Sequence, residues 1–169
     1  MRTRIGTVAA AAAVALVVFA PSALSGPGGA DRPFKATLAG SSNFPLDPTC
    51  LVGRRTVSTA TGTASHLGQV TMVSNHCTPP ANVITDGQMT LVAANGDELH
   101  LTYAGTCDFD PFSPVGTIFP CHTPAVVVGG TGRFQGATGT AQTIALITFA
   151  GLGVPDWPGT WSLHGQLTY

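Results

Sequence analysis

The chain is poor in charge. Lys, Arg, Asp and Glu supply 9% of its 169 residues, against roughly 25% in an average soluble protein. Lys+Arg number 7 and Asp+Glu 8, for a formal net charge of −1. So few cations cannot build the basic surface that neutralises phosphates, which excludes nucleic acid as a partner. Helical periodicity is absent too: no stretch keeps apolar residues at i, i+3, i+4 and i+7 for three turns. Catalytic signatures are missing, with no Gly-x-Ser-x-Gly and no His-Glu-x-x-His. Gly129-Gly-Thr-Gly132 lacks the Lys-Ser/Thr ending of a phosphate loop and is not followed by a helical pattern, so it reads as a turn. Nothing implies a cofactor. The hydrophobic content of 44% argues against global disorder, and the length suits one domain better than two.

What is present begins with an address. Arg2 and Arg4 precede an uncharged apolar run, Ile5 to Ala20, which is shorter than the ~20 residues a spanning helix needs. Small residues Ala23 and Ser25 follow. This order predicts a secretory signal peptide over residues 1–25, cut after Ser25 or, as second choice, after Ala30. The expectation is therefore a secreted protein with no membrane anchor once cleaved, folding as one domain over residues 31–169.

That remainder is rich in Thr, Val and Gly and alternates with period two. Phe34, Ala36 and Leu38 alternate with Lys35 and Thr37. Leu99, Leu101 and Tyr103 alternate with His100 and Thr102. Such alternation marks half-buried antiparallel strands. Eight are expected, near 33–39, 55–63, 68–75, 86–94, 97–105, 122–128, 139–149 and 159–168, with Asn95-Gly96 as a two-residue type I′ hairpin. The predicted class is all-β, an eight-stranded antiparallel β-barrel, since closure removes edges that few charges protect.

In an up-and-down order the odd connections share one end. Pro45, Pro48, Pro79, Pro80, Pro111, Pro114, Pro120, Pro155 and Pro158 fall in or beside them, while Pro33 and Pro124 are placed at strand starts. Cys50, Cys77, Cys107 and Cys121 fall at that end too. An even count in an exported chain predicts two disulfides, with Cys50–Cys77 and Cys107–Cys121 favoured among three pairings. The rival is a zinc site from His76-Cys77 and Cys121-His122. It is disfavoured because strand neighbours point to opposite faces, so no metal is expected.

From Val126 the chain reads Val-Val-Val-Gly-Gly-Thr-Gly-Arg-Phe-Gln-Gly-Ala-Thr-Gly-Thr-Ala. This resembles the Gly-Gly-Thr-Gly-x-Phe signature of dirigent proteins and the wider allene oxide cyclase-like barrels, which include exported bacterial members. Ser65-His66-Leu67-Gly68 and Ala93-Ala94-Asn95-Gly96-Asp97-Glu98-Leu99 also look like those members. The resemblance implies a calycin-like barrel with an apolar interior, often a homo-oligomer, that holds a reactive ligand for ring closure or directed coupling. Its motifs specify turns, so it speaks to fold more than to function.

Among single residues, Phe109, Phe112, Phe119 and Trp157 are the candidate ligand-binding set, as large apolar side chains in loops at the disulfide end. Catalytic residues are not identified. Asp108 and Asp110 read as a solvated acidic loop rather than a calcium site. His100 and His164 are expected to face outward, His66 to bond locally, and Arg133 to meet backbone carbonyls in its turn. The leading expectation is a non-catalytic exported module that takes an apolar small molecule or a protein partner at its loop end. An isomerase or coupling-directing protein, and a structural protein with a filled barrel, are the alternatives. A cavity would favour the first two, and ionisable groups inside it the second.

Overall fold

The computed structural model describes residues 29–79 and 81–169; the expected leader over residues 1–25 lies outside them. The Thr- and Val-rich alternation becomes eight strands: β1 (Asp31–Asn43), β2 (Arg55–Ala64), β3 (Gly68–Cys77), β4 (Val83–Ala93), β5 (Glu98–Cys107), β6 (Ile118–Gly130), β7 (Thr138–Thr148) and β8 (Trp157–Thr168). They close an antiparallel barrel in sequence order, and β8 returns to β1 with Leu38 opposite Trp161. The four odd connections therefore share one end, the loop end. The three even ones share the other, the turn end.

Packing differs between the two halves. Toward the turn end the inward residues are apolar and buried: Phe34, Ala36 and Leu38 on β1, Val70 and Met72 on β3, Leu99 and Leu101 on β5, Leu163 and Leu167 on β8. Leu67 and Phe134, from even connections, fold in as a floor. Each large side chain so buried contributes about 1.5–3 kcal/mol. Toward the loop end polar inward positions, Ser42, Ser58, Ser74, His76, Thr123 and Thr143, are buried among apolar ones such as Ile84, Ile147 and Trp161.

The observed strands outrun the expected ones mainly at the loop end. At the loop end six of the eight run further than expected: β1 to Asn43, β3 to Cys77, β4 from Val83, β5 to Cys107, β6 from Ile118 and β8 from Trp157; at the turn end β1, β2, β6 and β7 gain one or two residues each. In β1 and β3 the added inward residues, Ser42 and His76, are polar and break the apolar/polar alternation while leaving the ladder intact. Because β6 starts at Ile118, Pro120 and Pro124 lie within a strand and not at its start. Register pairs join β5 to β6 at Tyr103↔Ala125 and again at Thr106↔His122. Pro124, without an N–H to donate, falls in the gap.

The β4–β5 hairpin also differs from expectation. Gly96 has φ +86°, but Asn95 is not at positive φ, so the turn is not type I′. The Gly96 N–H donates to the Ala93 carbonyl at 2.9 Å and the Ala93 N–H to the Asp97 carbonyl at 2.8 Å. This is a three-residue loop with glycine in the left-handed bulge position. The apolar face dictates it. A two-residue turn closing Ala94 on Asp97 would set Leu91 against His100, whereas the observed register sets Leu91 against Leu99 and keeps both inside.

The cysteines form Cys50–Cys77 and Cys107–Cys121, and none of the four is free. No thiolate remains for a metal at either Cys–His pair. Two disulfides are compatible with an extracellular protein, and among the described residues no helix is long and apolar enough to cross a membrane. Arg133 does not end on backbone carbonyls as expected: it pairs with Asp97 at 3.2 Å and lies over the Phe134 ring. A nearby carboxylate, set by the Asn95–Asp97 turn, outcompetes neutral oxygens for a guanidinium.

Candidate functional site

The loop-end half of the interior encloses a cavity of about 950 Å³ that opens at the loop end. Strand register arranges its walls in rows. Ser42 on β1 pairs with Ser58 on β2, and Ser58 with Ser74 on β3. One step toward the mouth, Thr56 stands against His76. On another wall Thr123 of β6 faces Thr143 of β7. The Ser42 and Ser58 hydroxyls bond each other at 2.7 Å, and Thr56 meets Thr78 at 3.0 Å. Thr143 Oγ1 is buried with no partner among the described residues.

Tyr103 projects from β5 and its hydroxyl lies 2.8 Å from His76 Nδ1. A bulge in β4 makes room for it. Between Ile84 and Gly87 the β4–β5 register shifts, so Thr85 and Asp86 both face out while Ile84 and Gly87 both face in. A Cβ on Gly87 would sit 2.3 Å from the Tyr103 ring, so only glycine admits the phenol there. The same bulge brings the Asp86 carboxylate to the Cys77 N–H, 3.2 Å away, beside His76.

Both members of the pair are held neutral. Burial pulls the His76 imidazole from 6.5 to about 4, against the Asp86 carboxylate and with a small push from Arg55. Burial raises the Tyr103 phenol above its ordinary value, opposed by Ser74 and reinforced by Asp86. A neutral imidazole whose Nδ1 accepts the phenol proton carries its own proton on Nε2, which has no partner among the described residues. The pair is thus a fixed donor and acceptor set at neutral pH. It is a weak base and a weak acid, remote from the near-neutral values that suit proton transfer.

Aromatic rings form the mouth. Phe109 lies 5.1 Å from Phe119 and 5.4 Å from Trp157 between ring centroids. Phe44 and Phe149 complete the group, at 4.6 and 5.0 Å from Trp157. The Trp157 indole N–H donates to the Val154 carbonyl at 3.2 Å. Of the four sequence candidates, Phe109, Phe119 and Trp157 come together and line the cavity. Phe112 does not: it stands on its loop 93% exposed. Asp108 and Asp110 are exposed as well. His164 faces out, and His100 is partly exposed and bonds Glu98 at 2.8 Å. His66, at φ 69°, is hydrogen-bonded to the Pro33 carbonyl oxygen.

Sequence reasoning passed over the inward hydroxyls, Tyr103 as a polar group, and His76 except as a metal ligand. One signal was available. Ser42, Ser58 and Ser74 recur at the same phase as the apolar inward residues of their own strands. Comparison of the chain with protein-family models, with curated proteins and with solved structures finds no match.

Proposed function

We propose that this barrel is a non-catalytic binding module that holds one uncharged, amphipathic small molecule in its loop-end cavity. The observation that carries the reading is that the interior is left open over one half and is lined there by hydroxyls and rings. A volume of about 950 Å³ lies at the upper end of the usual 300–1,000 Å³ range for small-molecule pockets, and small eight-stranded barrels can hold one such ligand. Of the lining residues only Arg54 and Asp156, both at the mouth, carry charge at neutral pH. An ion entering deeper would lose its water with no counter-charge to meet it. A ligand with an apolar ring system and one or two hydroxyl or carbonyl groups satisfies Thr143 and His76 while its body covers the aromatic mouth. The leader pattern and the disulfides support action outside the cell.

The test is a titration with two related pyrenes, followed by energy transfer from Trp157 and Trp161. 1-Pyrenemethanol is expected to bind, and 1-pyrenecarboxylate at least tenfold more weakly. Equal binding of alcohol and carboxylate, or binding of neither, overturns the reading.

The His76–Tyr103 pair favours a second reading, a cyclase-like or coupling-directing protein of the kind residues 126–141 resemble. In that case His76, its proton held on Nε2 by the bond from the Tyr103 phenol, would steer a reacting ligand by donating a hydrogen bond. Product selectivity that vanishes in Tyr103→Phe while pyrenemethanol still binds would support it over simple binding.

A further inference from the structure

The two ends of the barrel treat their apolar connection residues in opposite ways. At the turn end Leu67 and Phe134 are folded inside. At the loop end Phe112 and Leu51 are 93% and 88% exposed, and Leu46, Leu152 and Val115 are 78%, 73% and 70% exposed. These five side chains come from three different connections, β1–β2, β5–β6 and β7–β8. All three connections lie at the end where the cavity opens, and Leu152 is itself part of its lining.

The loops that carry them are braced and hold these tips outward. Cys50–Cys77 ties the first connection to the end of β3. Asn82 Nδ2 donates to the Phe109 carbonyl at 2.7 Å, joining the third connection to the fifth. The Gly116 N–H donates to the Phe149 carbonyl, and the Phe149 N–H to the Thr117 carbonyl, each at 2.8 Å, joining the fifth to the seventh. A crown of this kind loses little entropy on docking.

We infer that the loop end docks on a zwitterionic lipid surface, the tips entering the interfacial layer so that the cavity mouth opens onto lipid. Separate projecting side chains on several loops match a fluid phase that flows around them, whereas a protein partner calls for a continuous face of complementary shape. Charge selects the lipid. The odd connections hold one arginine, Arg54, against Asp47, Asp108, Asp110 and Asp156, and the chain's one lysine, Lys35, lies on β1. Anionic membranes are bound through clusters of Lys and Arg, and this face would be repelled by them. The docking stands without a ligand. The further step, that the cavity loads its ligand from the lipid, rests on the binding reading above.

The test uses the full chain carrying Phe112→Trp as a reporter on the loop end, with vesicles of phosphatidylcholine whose acyl chains are brominated. The reporter is expected to shift to the blue and to be quenched on mixing. Trp157 and Trp161 emit as well, so the reporter's signal is the difference between the variant and the parent, and that difference answers for the loop end whatever other segment meets the vesicle. Serine at Leu46, Leu51, Phe112, Val115 and Leu152 together is expected to weaken vesicle binding at least a hundredfold, since each apolar tip contributes about several-fold. All five are exposed, so circular dichroism should be unchanged. Phosphatidylglycerol in the vesicles should weaken binding. The inference is overturned if the reporter is not quenched, if binding requires anionic lipid, or if the serine variant binds as well as the parent. A dimer or a protein complex that forms through the same five residues without any vesicle binding overturns it as well. 1-Pyrenemethanol binding without vesicles separates the two readings. Kept alongside failed docking, it leaves the binding module standing; lost alongside successful docking, it removes the cavity reading alone.

Discussion

Replacing Thr143 by Val separates stability from binding, because the two should move in opposite directions. The Thr143 side chain is 2% exposed and its hydroxyl has no partner among the described residues. A buried hydroxyl without a hydrogen bond costs about 1–3 kcal/mol, and an apolar group of the same shape removes that cost. The lower figure applies here, since Thr143 belongs to the wall of a cavity and small movements there relieve part of the cost. Thr143→Val should therefore stabilise the empty barrel by about 1 kcal/mol, a rise in Tm of roughly 3–5 °C by differential scanning calorimetry. A ligand hydroxyl that bonds Thr143 contributes about 0.5–1.5 kcal/mol, so pyrenemethanol affinity should fall roughly two- to twelvefold. 1-Methylpyrene, which has no hydroxyl, should bind parent and variant alike, and the cycle formed by the two ligands and two proteins isolates the single contact. Ser42→Ala is the contrast: it strips the 2.7 Å bond to Ser58 and should lower Tm. If Thr143→Val lowers Tm as Ser42→Ala does, the hydroxyl is satisfied in the empty protein and the reasoning fails. If it leaves the difference between the two ligands intact, Thr143 is not the anchor.

Acid should destabilise the fold in a window set by His76. Its folded pKa of about 4 lies below the unfolded 6.5, so the unfolded chain takes up a proton first as pH falls. Stability should be full above pH 6.5 and fall by about 3 kcal/mol in all on approaching pH 4. His76→Gln should flatten that part of a urea-denaturation profile, and an unaltered slope would remove the buried neutral imidazole from the account. Asp47, lowered from 3.8 to about 2 chiefly by its hydrogen bond from Thr49, adds a loss only below that window. Gly87→Ala places a Cβ 2.3 Å from the Tyr103 ring; it should cost about 1–3 kcal/mol and displace the phenol, seen as a changed near-ultraviolet tyrosine band. Gly96→Val, at φ +86°, should cost about 1–2 kcal/mol through left-handed backbone strain, and an unchanged Tm would count against the bulged hairpin.

Much of the architecture was legible in the residues. Phe34-x-Ala36-x-Leu38 and Leu99-x-Leu101-x-Tyr103 declare strands because apolar side chains on one pleated face must all find the core. Eight such segments with no helical period leave closure as the way to protect the edges. Cysteines and prolines gathered in alternate connections also point to one end, since an up-and-down chain returns to it every second turn. These are local properties, and the chain carries them whatever its neighbours are.

The cavity is not of that kind. An inward serine and an outward serine are the same letter, and only the register that lines up Ser42, Ser58 and Ser74 shows that the hydroxyls share a wall. The hairpin at Asn95-Gly96 took a bulge that local turn preference does not choose, because Leu91 and Leu99 had to stay inside together. Tyr103 read as one more apolar residue until the β4 bulge and Gly87 opened a place for its ring beside His76. Phe112 and Phe109, three residues apart in one connection, were indistinguishable in sequence. Packing sent Phe109 into the mouth and left Phe112 in solvent, because burial is decided by what closes over a side chain. The residues determined a barrel with one elaborate end; closing that barrel decided which of its side chains would face an empty interior.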